Sequence, residues 1–172
     1  IRMYRVCGEY GLPVLMHFDY CIPEHPIANP WPDYWYGGGI DVLERVLALC
    51  PETNFIGHAP GFWAHISNDD KYATSAYPKG EVIPGGRIEQ LLEKYPNLYC
   101  DMSAGSGFNA LNRDHEFTKG FLERWQDRIL FARDYFDNVH RELLESISLS
   151  DAVKKKLYED NARKILRGGE KI

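Results

Sequence analysis

The chain has 172 residues, 44% hydrophobic and 13% aromatic, with a formal net charge of -5, which suits one soluble domain over residues 1–172 with a sizeable core. No run of about eighteen apolar residues offers a membrane span, and no basic, apolar, small-residue leader resembles a signal peptide, so a cytoplasmic protein is expected. The mild acidity, without a cluster of Lys and Arg, disfavours nucleic acid or an anionic membrane as the main partner and points to a small-molecule substrate.

The first residues, IRMYRVCGEYG, read as the last turns of a helix stopped by Gly11. PVLMH at 13–17 is apolar and ends on His17. A long stretch at 19–38 follows, with His25, Trp31, Tyr34, Trp35 and Tyr36. From Gly39, IDVLERVLALCPET puts Ile40, Leu43, Val46, Leu47 and Cys50 on one helical face before Pro51 ends it. NFIGH at 54–58 repeats the apolar run and ends on His58. Residues 59–84 form a second long loop with Phe62, Trp63, His65, Tyr72 and Tyr77.

In GGRIEQLLEKYPN, residues Ile88, Leu91, Leu92 and Tyr95 share a helical face, and Pro96 stops it. NLYCD at 97–101 leads into DMSAGSG, where the glycines read as a flexible helix-entry turn and Asp101 as a residue that bonds nearby backbone amides. HEFTKGFLERWQD is a helix with Phe117, Phe121, Leu122 and Trp125 facing inward. RILFARD at 128–134 is the fourth run, and VHRELLESI and a final helix follow. Ser148 and Asp151 fit a capping box for that helix, and Gly168 and Gly169 fit its end. Cys7, Cys21, Cys50 and Cys100 form no CxxC pair, which disfavours a zinc knuckle and leaves reduced, mostly buried thiols. His115 and His140 read as surface histidines.

Four apolar runs alternating with helices at a spacing of about forty residues are the pattern of a parallel α/β sheet. An open doubly wound sheet and a closed (β/α)8 barrel both use it. The polar strand ends favour the barrel, because chemistry gathers there at the C-terminal ends of strands, and His17, His58, Asp101 and Asp134 would ring one mouth. No GxGxxG or P-loop follows a strand, as a nucleotide fold would need. Two imidazoles and the Asp134 carboxylate at equivalent points of three repeats suit a borderline divalent ion such as zinc. The two long loops exceed the usual βα connection. Their Trp35, Trp63 and His65 are candidates to wall a pocket for a flat substrate, with plain packing on the rim as the alternative.

With these motifs in place, the chain resembles the amidohydrolase-related family, in the branch that includes aminocarboxymuconate semialdehyde decarboxylase-like enzymes. GLPVLMH is similar to the family's fifth barrel strand, which implies that His17 binds metal. NFIGHAPG is similar to the sixth, which implies that His58 activates or orients a water. GGRIEQLLEKYPNLYCDMS resembles the helix and seventh strand, RILFARDYF the eighth with Asp134 as metal ligand or base, and NARKIL the closing helix. Arg133 stands where the family has a small residue, and its guanidinium is a candidate to bind an anionic substrate. The family's first-strand His-x-His pair has no counterpart here, and a whole barrel takes about 250 residues.

The resemblance therefore implies the C-terminal half of a (β/α)8 TIM barrel, strands five to eight plus closing helices, with a divalent metal, zinc or manganese. Exposed sheet edges lead us to expect a homo-oligomer or association with an N-terminal half-barrel. The expected activity is metal-dependent hydrolysis of a small carbonyl, lactone or ester substrate. The alternatives are nonoxidative decarboxylation of an aromatic or unsaturated acid, and a noncatalytic half-barrel serving as an interaction module.

Overall fold

The computed structural model describes residues 1–18 and 39–167. Helix α1 (Arg2–Glu9) opens it, and Gly11 at φ 65° turns the chain out of that helix, as expected. Strand β1 (Val14–His17), helix α2 (Ile40–Leu49), strand β2 (Phe55–His58), short helix α3 (Pro60–Trp63), helix α4 (Arg87–Lys94) and strand β3 (Leu98–Asp101) follow. Then come α5 (Ala104–Asn112), α6 (His115–Arg124), β4 (Ile129–Leu130), α7 (Val139–Ser146), α8 (Asp151–Lys155), a π-helical stretch (Lys156–Asp160) and α9 (Asn161–Arg167).

The four strands form one parallel sheet in the order β1-β2-β3-β4. Side chains alternate across it. On one face Met16, Phe55, Leu98, Cys100 and Ile129 join the buried side chains of α2, α4, α5, α6 and α7 in the main core. The other face carries Leu15, Ile56, Tyr99 and Leu130, where Tyr99 and Leu130 pack with Ile165 of α9 while Leu15 stays 55% exposed. By the same alternation His17, His58 and Asp101 belong to this second face, at its C-terminal end.

The buried periodicity of α2, α4 and α6 follows the sequence pattern: Leu43, Val46, Leu47, Ile88, Leu91, Leu92, Phe121 and Leu122 are all buried. Cys50 and Cys100 are buried free thiols and Cys7 is half-buried, while Cys21 lies outside the described residues.

Four readings change. The fourth strand is shorter than RILFARD, because the Phe131 N–H turns away to the Leu157 carbonyl (3.0 Å), so Asp134 sits in an irregular turn beyond the sheet. In SAGSG, Ser103 is the N-cap and Ala104 to Gly107 form the first turn of α5 rather than a loose turn. The cap of α8 is Ser150, whose hydroxyl accepts from the Val153 N–H, and not Ser148. His140 is buried rather than on the surface. Gly168 and Gly169 lie outside the described residues. Among the described residues no helix is long and apolar enough to cross a membrane.

Candidate active site

Parallel pairing sets the ends of the strands level. His17 is the register partner of His58, and Gly57 pairs with Cys100, so His58 and Asp101 reach the same end one step later. The imidazoles of His17 and His58 lie 5.3 Å apart, centroid to centroid. His58 Nδ1 is 3.0 Å from Asp101 Oδ2. Asp101 is in turn held by Ser103, whose N–H donates to Oδ1 (2.9 Å) and whose hydroxyl donates to Oδ2 (2.8 Å). The Ser103 oxygen also lies 3.3 Å from His58 Nδ1. All three residues are buried.

This geometry fixes the protonation pattern. Burial pushes the Asp101 carboxyl up, but the hydrogen bonds from His58 and Ser103 outweigh it and hold the group below the usual carboxylate range. An ionised Asp101 accepts from His58 Nδ1–H, which leaves Nε2 on the opposite side of the ring. The same hydrogen bond raises the proton affinity of His58 above the ordinary value, opposed by burial and aided by the charges of Asp101 and Asp134. The result is an imidazole backed by a carboxylate, an arrangement suited to taking up and returning a proton.

The backbone around this pair is strained. Ala59, directly after His58, has φ 76° and ψ 172°, and Ala104, at the start of α5, has φ 61°. These are the non-glycine residues with positive φ among those described, and left-handed conformations cost an L-residue roughly 1–2 kcal/mol. The Ala59 carbonyl accepts the N–H groups of Phe62 (3.1 Å) and Trp63 (3.0 Å). Beneath His58 the Phe62 ring fills the space beside Gly57, where a Cβ would fall 2.4 Å from the ring. Trp63 is 1% exposed and its indole N–H donates to the Asp101 carbonyl at 2.8 Å. It supports the strand end from within the core rather than lining an open pocket.

The mouth residues of the outer strands are more open to solvent. His17 and Asp134 are both exposed. Arg133 turns away to the carbonyl of Asp137 and the side-chain oxygen of Asn138, both at 3.2 Å, so its guanidinium closes the local turn. His65 is half-buried, with its ring 4.4 Å from that of Tyr72. It lines a separate cleft of about 350 Å³ with Asp41, Ser67, Tyr72 and Arg87. Trp35 lies outside the described residues.

Among the described residues no three His, Cys, Asp or Glu side chains converge closely enough to hold a metal ion. His17 offers an imidazole at the mouth, and Asp134 a carboxylate close enough for its charge to act on His58. This donor set fits a divalent metal in part, as ligands that a further group must complete. In the sequence, Asp101 stands with the mouth residues but reads mainly as a turn residue, His140 reads as a surface histidine, and Ser103 is not singled out. The polar residue at the third strand end is the signal that places Asp101 at the mouth. Nothing in the sequence signals the contacts of Ser103 or His140.

A buried imidazole–carboxylate pair at the C-terminal end of a parallel βα array is an enzyme-like site on a barrel-type sheet. The family comparison agrees: residues 1–168 match the amidohydrolase family model, and the chain belongs to that family. Members of the wider superfamily generally use a divalent metal.

Two solved structures are similar in fold. An uncharacterized TIM-barrel protein from Bordetella bronchiseptica superposes with a TM-score of 0.60 at 17% identity, over 99% of this chain and 50% of that one. A 2,6-dihydroxybenzoate decarboxylase complexed with 2,6-dihydroxybenzoate superposes with a TM-score of 0.52 at 15% identity, over 96% of this chain and 54% of that one. The chain thus spans about half the length of the structures it matches. No curated protein sequence matches it.

Proposed function

We propose that the chain forms the C-terminal half of a metal-dependent (β/α)8 hydrolase, with its site completed by an N-terminal half-barrel or a second copy. The observation that carries this reading is the buried His58–Asp101 pair at the strand ends. His58 Nε2 takes a proton from the attacking water, Asp101 stabilises the imidazolium that forms, and the same nitrogen returns the proton to the leaving group. His17 and Asp134 hold a divalent metal, zinc or manganese, together with ligands from the completing half. When bound, that ion supplies Lewis-acid polarisation of a carbonyl and makes water more acidic. The substrate class is a small carbonyl compound, lactone or ester.

A second reading, decarboxylation of an aromatic or unsaturated acid, is favoured by the raised proton affinity of His58. An imidazolium held at the mouth is a donor for the substrate carbon as carbon dioxide leaves. The fold shared with a 2,6-dihydroxybenzoate decarboxylase is compatible with this reading, but substrate choice depends on the site.

The test is elemental analysis of size-separated fractions after supplying zinc or manganese, followed by lactone, ester and hydroxybenzoate substrates. About one ion per site in an assembled species, lost in His17→Ala and kept in His58→Ala with weakened turnover, is the expected result. Equal metal content and activity in both variants would overturn the assignment.

A further inference from the structure

The turn that carries Asp101 and Ser103 continues into Ala104, whose left-handed conformation (φ 61°) an alanine adopts only when its surroundings hold it there. One such hold is His140, on α7, an element remote in sequence. Its Nε2 lies 3.0 Å from the Ala104 carbonyl oxygen. A carbonyl only accepts, so this nitrogen carries the proton. His140 is 3% exposed, its ring meets Phe108 of α5 edge-on at 5.8 Å, and burial keeps its proton affinity below the ordinary value. It is therefore a neutral Nε2–H donor fixed against the first turn of α5.

That turn has little freedom to relocate. At Gly107 a Cβ would fall 2.2 Å from the Met102 carbonyl oxygen, so α5 sits directly on the end of β3. A shift of Ala104 is thus passed to its neighbour Ser103, which sets both Asp101 oxygens.

We propose that His140 is a positioning residue: through the Ala104 carbonyl it holds the strained β3–α5 turn, and through Ser103 and Asp101 it keeps the proton of neutral His58 on Nδ1. The inference rests on reading His58 as the acting residue of the site. It goes beyond that reading by placing the control of its free nitrogen on a third element, α7.

The experiment is long-range 1H–15N spectroscopy of the imidazoles in the metal-free chain, at alkaline pH where His58 is neutral. The wild type is expected to show His58 with a protonated Nδ1 and a bare Nε2. H140F keeps the ring contact with Phe108 and removes the donor, and it is expected to average the two His58 nitrogens toward the values of a free imidazole. H140Q, which restores an N–H donor, is expected to return the wild-type pattern. So is the double variant H140F/A104G, because glycine adopts this turn without strain. A folded H140F with unchanged His58 signals would overturn the proposal. Should H140F not fold, the double variant decides: a wild-type His58 pattern supports the proposal, and an averaged pattern or failure to fold overturns it. The readout needs neither metal nor substrate, so failure of the hydrolase reading would appear separately, in metal content and turnover.

Discussion

The two inner strands and the two outer strands of this sheet treat their mouth residues differently. His58 and Asp101, on β2 and β3, are buried, bonded to each other and fixed by Ser103 and two strained alanines. His17 and Asp134, at β1 and beyond β4, are exposed. Among the described residues each outer strand is paired on one side only, and near β1 Leu12, Leu15, Tyr10 and, on α1, Met3 and Val6 are exposed. Beyond β4, Tyr135, Phe136 and Leu166 are exposed as well. The pair proposed to handle protons is thus buried and internally bonded, whereas the residues proposed to hold metal are exposed at the outer strands.

The sharpest way to break this contrast is a matched pair of truncations. Phe55→Ala removes a fully buried ring packed edge-on against Tyr4 and is expected to cost about 3–5 kcal/mol in urea unfolding. Leu15→Ala, on the second face of the outer strand β1, is expected to cost less than about 1 kcal/mol. A large loss for Leu15→Ala would mean that this face of β1 is covered in solution. Next in size, Ser103→Ala removes a buried donor to Asp101 and is expected to lower stability by about 1–3 kcal/mol.

The smallest effect belongs to the outer helices. Glu44 bonds Lys94, Arg87 and Tyr95, which hold its carboxyl at about 2. A depressed carboxylate contributes stability above its ordinary value of 4.5 that is lost as pH falls toward 2. Because the pair is largely solvated, Glu44→Gln should cost less than about 1 kcal/mol at neutral pH and nothing below pH 2. Urea midpoints across that range check it.

Much of the scaffold was legible because repeated apolar runs and 3.6-residue periodicity report burial directly. Phe55, Leu98, Leu91 and Phe121 are core residues in sequence and structure alike. The end of the fourth strand was not legible, since the Phe131 N–H finds a partner in the Leu157 carbonyl, 26 positions further on. At the site, His58 was visible as a polar stop on an apolar run. Its partnership with Asp101 was not, because a bond between adjacent strands depends on register and on the Ser103 turn. His140 reads like any helical histidine until its contact with Ala104 is known, and Trp63 looked like a loop aromatic until its indole was found bonded to the Asp101 carbonyl.

The most direct test of the account is an NMR titration of His58 in the metal-free wild type and in Asp101→Asn. Its raised proton affinity contributes stability that is complete below the ordinary value of 6.5 and is lost as pH rises through the raised one. The account predicts a His58 midpoint above 6.5 in the wild type that falls in Asp101→Asn, with the stability difference between the proteins shrinking as pH rises through that midpoint. A midpoint at or below 6.5, unchanged by the substitution, would contradict it.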